Sequence, residues 1–212
     1  MRVIAGTYRS RLLEAPRGTA TRPTSDRLRE TLFNILQPRI EGSRFVDLYA
    51  GTGAVGIEAL SRGASQVWFA ENADLALAAL RENIKVLKIG RNHTIEDRGT
   101  GAMLQRLAKL PEPVDIIYLD PPYEAEAEYE ATLSFLGSNR GRQTLTPGAL
   151  VIVEHANKAK FKLAARYGAL EHFRLLKQGD AALSFYRVPA AEVIEPKLET
   201  PHPDADPSLG QP

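Results

Sequence analysis

The chain is predicted to be an α/β protein built on a doubly wound, mostly parallel sheet of seven strands, and three observations carry that expectation. Short apolar runs beginning at Phe45, Val67, His93, Val114 and Leu150 alternate with helical patterns beginning at Ala54, Ala73, Ala102 and Glu126. That alternation calls for crossover connections and hence parallel strands. The run Val114–Leu119 reads VDIIYL, apolar with a β-branched centre, as suits a strand covered on both faces. Near the carboxyl end, Leu170–Lys177 and Ala181–Val188 flank Gln178-Gly179-Asp180, which suits an antiparallel pair closing the sheet.

Three parts are expected along the chain. Residues 1–40 form an amino-terminal extension: a short hairpin over Val3–Leu13, a loop rich in Thr and Pro over Arg17–Pro23, and a helix over Thr24–Leu36 with Leu28, Leu32, Phe33, Ile35 and Leu36 inward. Residues 41–188 hold the sheet. Residues 189–212 carry six of the fourteen prolines and five acids against Lys197, a composition expected to be disordered.

Composition sets outer limits. With 212 residues, 43% of them hydrophobic, and no apolar run long enough to span a bilayer, the chain can bury one full core. No charged segment followed by an apolar stretch opens it, so no secretory signal is read. The absence of cysteine excludes disulfides and thiolate metal sites. His93, His155, His172 and His202 show no ligand spacing, so no metal is expected. A cytoplasmic protein with no membrane partner is anticipated.

Net charge is only +1, but its distribution is uneven. Seven arginines stand in Met1–Arg29 against Glu14 and Asp26, a local balance of +5, whereas residues 189–212 balance at −4. An arginine block without lysine, with Tyr8 interleaved, suits bidentate contact with phosphates. The plain alternative is a solvated hairpin edge whose charges discourage sheet aggregation. Candidate nucleic-acid contacts are Arg9, Arg11, Arg22, Arg27 and Arg29, with Lys158 and Lys160 from a second basic cluster.

Two motifs carry chemistry. Phe45–Gly56 reads FVDLYAGTGAVG, a strand, a glycine turn and a helix start. Gly51 and Gly53 let a ligand approach the backbone, and the first N–H groups of the helix offer an anion site. Gly51, Gly53 and Gly56 spell a dinucleotide fingerprint, and Glu71 follows at the distance of a ribose-binding acid. Asp47 inside the first strand points away from a dinucleotide, because an acid there suits a ligand with a positive group. The second motif is Asp120-Pro121-Pro122-Tyr123 at the end of VDIIYL. Two prolines stop the strand and stiffen the turn. Asp120 and the Pro121 carbonyl, which no local amide need occupy, can accept both hydrogens of one amine, and Tyr123 can stack on the ring that bears it.

The blocks RVIAGTYRSRLLEAP, RPTSDRLRETLFNIL, DLYAGTGAVGIEALSRGA, DPPY and VIVEH occur in this order over Arg2–Val188. Together they resemble the bacterial 16S ribosomal RNA guanine-N2 methyltransferase family, a DPPY-type branch of the class I S-adenosylmethionine-dependent methyltransferases. The resemblance implies a Rossmann-like methyltransferase sheet, S-adenosylmethionine as cofactor and, as partner, 16S ribosomal RNA in the small subunit or an assembly intermediate; a monomer is expected. It places Asp47, Gly51 and Gly53 at the methionine end of the cofactor, Glu71 at the ribose and Asn72 beside the adenosine, with Tyr49 a further cofactor contact. Many relatives carry an Asp-Ala pair near the adenine; here the chain reads IEDRGTGAML, with Gly101-Ala102 at that position, and Asp97 or Arg98 is expected to substitute. Asp120, Pro121, Pro122 and Tyr123 would clamp the guanine. The alternatives are a DNA or RNA adenine-N6 methyltransferase sharing every site residue, an NAD-dependent oxidoreductase sharing the glycine loop, and a non-catalytic RNA-binding assembly factor.

Overall fold

The computed structural model describes residues 1–15, 25–158 and 161–189. Helix α1 (Asp26–Ile40) starts where the Ser25 hydroxyl accepts the Leu28 amide at 3.1 Å, closing the first turn. It extends past the expected end, running through Pro38 to Ile40. Strand β1 (Arg44–Asp47), helix α2 (Ala54–Ser61), strand β2 (Gln66–Ala70), helix α3 (Asp74–Val86) and strand β3 (His93–Glu96) follow. Helix α4 (Thr100–Leu107), strand β4 (Val114–Leu119) and helix α5 (Glu126–Gly137) come next. The chain then enters β5 (Leu145–Ala156), β6 (Arg166–Tyr167), β7 (Leu170–Gln178) and β8 (Ala181–Arg187).

These strands form one sheet in the order β3-β2-β1-β4-β5-β8-β7-β6, parallel from β3 through β5 and antiparallel beyond. The sheet therefore has eight strands, not seven. The extra one, β6, is a two-residue edge pairing Arg166 with Glu171 and Tyr167 with Leu170, too short to leave a periodic signal in the sequence. The antiparallel pair β7–β8 is present as expected, with Gln178 paired to Ala181 around Gly179 at φ +62°. The amino-terminal hairpin is reduced to one isolated bridge, Arg2 with Leu12.

Two apolar clusters cover the sheet, one per face. Leu32 and Leu36 of α1, Ile57 of α2 and Leu80 of α3 pack on the face carrying Phe45, Ile116 and Ile152. Met103 of α4 and Leu133 of α5 pack on the other, against Val46, Ile117 and Val151. Val3 and Leu13 are buried in the first cluster, so the amino-terminal segment shares the core of the sheet. Because β1 leads outward to β2 and β3, whereas β4 lies on its other side, the winding reverses between β1 and β4. In open α/β sheets such a reversal leaves a crevice at the carboxyl ends of the two strands, where ligands bind.

Candidate active site

Both sequence motifs meet at that reversal. The Leu48 amide donates to the Tyr118 carbonyl at 3.0 Å, tying the loop after β1 to the end of β4, and the Ala50 amide donates to the Ala70 carbonyl at 2.9 Å. The Thr100 hydroxyl donates to the Leu48 carbonyl at 2.6 Å and locks the same loop from α4. Thr100 was not expected here. Its helix starts two residues before the expected Ala102, just after Gly99 at φ +83°.

The glycines have separate duties. Gly51, at φ +55°, faces open space, where a ligand can reach the backbone. Gly53, at φ +83°, precedes α2, and a Cβ there would fall 2.4 Å from Leu80 Cδ1. Gly56 lets α2 lie on β2, because its Cβ would fall 2.2 Å from the Phe69 ring.

Asp47 is 1% exposed. Its Oδ2 accepts the Gly56 amide at 3.0 Å, so one of the helix N–H groups expected to be open is already taken. Its Oδ1 is buried with no hydrogen-bond partner. Burial pushes the carboxyl up to about 7, aided by the charge of Glu71 and opposed by the backbone amides of Gly56 and, more weakly, Tyr49. An orphaned buried carboxylate oxygen is uncommon and calls for a missing partner.

Glu71 follows β2 and spans the crevice wall. Its Oε2 accepts the Gly51 amide at 2.8 Å, and its Oε1 accepts the amides of Asn72 at 2.9 Å and Ala73 at 2.8 Å. A carboxylate has about four acceptor positions, so one remains for an incoming hydroxyl. The Asn72 side chain is exposed and lies against Gly99, whose Cβ would be 3.1 Å from Asn72 Nδ2. Tyr49 donates to Glu128 Oε2 of α5 at 2.6 Å. Partial burial and that bond push its phenol up to about 12, so it stays a donor. Asp97 pairs with Arg81 at 3.0 Å, and Arg98 with the buried Glu96 at 2.7 Å. Both expected adenine contacts are thus drawn into ion pairs of their own.

Asp120 and Tyr123 are half-buried beside the buried Pro121, with Pro122 exposed. A hydroxyl, not an amide, reaches the Pro121 carbonyl: Tyr129 Oη lies 3.2 Å from it and 3.1 Å from the Glu154 carbonyl, its one proton shared between the two acceptors. One lone pair of Pro121 remains. The Tyr123 hydroxyl donates to Glu154 Oε1 at 3.0 Å, and the Tyr118 hydroxyl donates to Glu154 Oε2. Sequence reasoning missed Tyr129 and Glu154. A signal for Glu154 existed, since each parallel strand ends in an acid or is followed by one, namely Asp47, Glu71, Glu96, Asp120 and, closing the apolar run of β5, Glu154. The carboxyl edge is therefore a row of carboxylates, suited to a cationic ligand.

The basic residues divide. Arg9 and Arg11 are exposed on a turn fastened to α2, where Glu58 accepts the Ile4 amide at 2.7 Å and the Ala5 amide at 3.0 Å, and Ser61 Oγ accepts the Tyr8 amide at 2.9 Å. Arg27 and Lys158 are exposed. Arg29 is not a surface contact. It is 0% exposed, with Nη2 donating to the Arg2 carbonyl at 2.5 Å and to Asp26 at 2.9 Å. The helical period places it beside Leu28 and Leu32 on the inward face, a position its charge conceals in the sequence. Arg22 and Lys160 lie outside the described residues, as does most of the acidic tail. No cluster able to hold a metal ion exists among the described residues, and among them no helix is long and apolar enough to cross a membrane.

Fold and crevice together define the class, a Rossmann-like methyltransferase. A family model described as conserved hypothetical protein 95 matches residues 1–187. Ribosomal RNA small subunit methyltransferase D of Haemophilus influenzae is 34% identical over 189 residues, covering 89% of this chain and 92% of the relative. The protein of the same name from Escherichia coli K12 is 36% identical over 154 residues, covering 73% and 74%. The solved structure of yhhF from Escherichia coli superposes with a TM-score of 0.71 at 33% identity, covering 88% of this chain and 96% of that one. The chain belongs to the conserved hypothetical protein 95 family and is similar over most of its length to the ribosomal RNA small subunit methyltransferase D proteins.

Proposed function

We propose that this protein methylates the exocyclic N2 amine of a guanine in 16S ribosomal RNA of the small subunit, with S-adenosylmethionine as donor. One observation carries the reading: the glycine loop after β1 and the Asp120-Pro121-Pro122-Tyr123 turn after β4 share one crevice, joined by the bond from the Leu48 amide to the Tyr118 carbonyl at 3.0 Å.

The cofactor fits the residues present. The orphaned Asp47 Oδ1 and the open backbone at Gly51 suit the cationic methionine end, and Glu71 keeps one acceptor position for a ribose hydroxyl beside Asn72. When bound, S-adenosylmethionine supplies an electrophilic sulfonium methyl group. The protein's part is placement. Asp120 accepts one hydrogen of the guanine amine, and the remaining lone pair of Pro121 accepts the other, so the nitrogen is aimed by its own hydrogens. Tyr123 stacks on the purine, a contact worth roughly 1–3 kcal/mol. Such positioning and fixed charge supply most of the acceleration when the leaving group is already good. Asp120 is also placed to take the proton that the amine sheds. A stacked guanine must first be extruded, costing a few kcal/mol.

The row of carboxylates that suits a cation repels an RNA backbone. Arg9 and Arg11, on the turn held to α2 through Glu58 and Ser61, and Arg27 of α1 are exposed cations available to that backbone. Incubation with labelled cofactor and small-subunit particles lacking the mark, followed by digestion, tests the proposal. Labelled N2-methylguanosine is expected; labelled N6-methyladenosine would overturn the assigned base.

A further inference from the structure

We infer that Glu154 is a positioning residue that sets the Tyr123 ring for the target base, a deepening that rests on the proposed base clamp. Glu154 closes the apolar part of β5, next to β4 in the sheet and 3% exposed. A buried carboxylate is costly unless its oxygens are satisfied, and here both are satisfied by phenols of the same crevice. Oε1 takes the Tyr123 hydroxyl at 3.0 Å and Oε2 takes the Tyr118 hydroxyl. Tyr118 is 1% exposed and stands on β4 one strand away, so it anchors the carboxylate from the rigid sheet. Tyr123 stands on the turn and is half-buried, so it is the partner with freedom to move.

The main chain of the same residue braces the other side of the turn. The Glu154 carbonyl accepts the Tyr129 hydroxyl at 3.1 Å, and that hydroxyl also reaches the Pro121 carbonyl at 3.2 Å. Burial, with the charges of Asp120 and Glu154 nearby, pushes the Tyr129 phenol up, so its proton is retained. Residue 154 therefore meets both ends of the clamp: its carboxylate holds the ring, and its carbonyl shares the Tyr129 proton with the proline carbonyl.

A stacking ring needs a fixed plane. An aromatic side chain at a turn turns about its side-chain bonds unless packing or a hydrogen bond stops it, and a bond to a charged acceptor is among the stronger restraints. The hydroxyl of Tyr123 thus acts through Glu154, and replacing it with Phe costs activity although the ring survives.

A double-mutant cycle tests this with Glu154→Leu built in a Tyr118→Phe background, so that the buried Tyr118 hydroxyl does not lose its acceptor, and with Tyr123→Phe as the second arm; because Tyr123→Phe without Glu154→Leu deprives the buried carboxylate of both phenols, the comparison read is Glu154→Leu with and without Tyr123→Phe. Measured are kcat and KM on small-subunit particles and calorimetric affinity for S-adenosylhomocysteine. The Glu154→Leu protein should lose about tenfold in kcat, the scale of one bond to a charged group, while binding S-adenosylhomocysteine within about twofold of wild type. Adding Tyr123→Phe should produce no further loss. Glu154→Gln, whose amide oxygen can still accept the Tyr123 hydroxyl, should recover most of the rate. Full kcat in the Glu154→Leu protein, or losses that multiply on combination, would overturn the role of Glu154 alone. A wild-type enzyme that labels no small-subunit RNA would overturn the proposed function and this inference with it.

Discussion

Asp47→Asn separates the cap that Asp47 makes for α2 from the ligand contact proposed for it. The carboxyl is held at about 7 against an ordinary 3.8, and the gap corresponds to roughly 4 kcal/mol, as an upper scale, of differential stability between folded and unfolded chains. Below about pH 4 the group is protonated in both states and contributes nothing. Between about pH 4 and pH 7 the unfolded chain releases its proton while the folded chain keeps it, so the apoprotein progressively loses stability. Above about pH 7 both are ionised and the loss is constant. Asparagine cannot ionise and retains an oxygen for the Gly56 amide. The stability of Asp47→Asn minus that of wild type should therefore rise by at least about 2 kcal/mol between about pH 4 and pH 8. Urea unfolding at several pH values reads this difference, and contributions of other groups cancel in it. A flat difference would refute the burial argument. At about pH 8 the variant should also bind S-adenosylhomocysteine at least about tenfold more weakly, because the orphaned oxygen no longer meets the ligand's ammonium as an anion. Unchanged affinity would leave Asp47 as a cap for α2 and nothing more.

Asp120→Ala should keep S-adenosylhomocysteine affinity within about twofold while kcat falls by roughly a hundredfold, the scale of one lost electrostatic contact at the reacting group; turnover near wild type would remove the amine clamp. Arg9→Glu with Arg11→Glu should weaken RNA binding and lower the slope of log affinity against log salt by about one to two. An unchanged slope would return those arginines to the role of a solvated edge. Gly56→Ala should lower stability by about 1–3 kcal/mol, since its Cβ would press on the Phe69 ring at 2.2 Å. An unaltered melting temperature would show that α2 and β2 are less tightly packed than their spacing indicates.

Sequence periodicity located the parallel strands, because a buried strand must be apolar on both faces and a crossover helix amphipathic, and both patterns are local. The span Val114–Leu119 agrees with the structure at both ends. Boundaries shifted where no local rule decides them. Strand β5 begins at Leu145, five residues ahead of the expected Leu150, and its pairing with β4 shifts register between Val114 and Ile116. Strand β6 exists only because β7 is there to pair with it.

The candidate site was legible to the extent that its residues are contiguous. Asp47, Gly51, Gly53, Glu71 and the Asp120–Tyr123 turn are short motifs whose residue types state their chemistry, and order along the chain alone implied that they converge. What the tertiary structure decided is which polar groups are already spoken for. Arg29 and Arg27 are two residues apart in one arginine-rich stretch, yet one is buried against Asp26 and the other is exposed, because a helix turns about 100° per residue and only one face meets the sheet. Glu154 ends an apolar run just as Asp47 does, yet only the pairing of β4 with β5 brings the phenols of Tyr118 and Tyr123 to it. Residue types and local spacing settled what chemistry the chain can perform; partners distant in sequence settled which atoms remain free to perform it, because hydrogen bonds saturate and burial depends on everything that packs above.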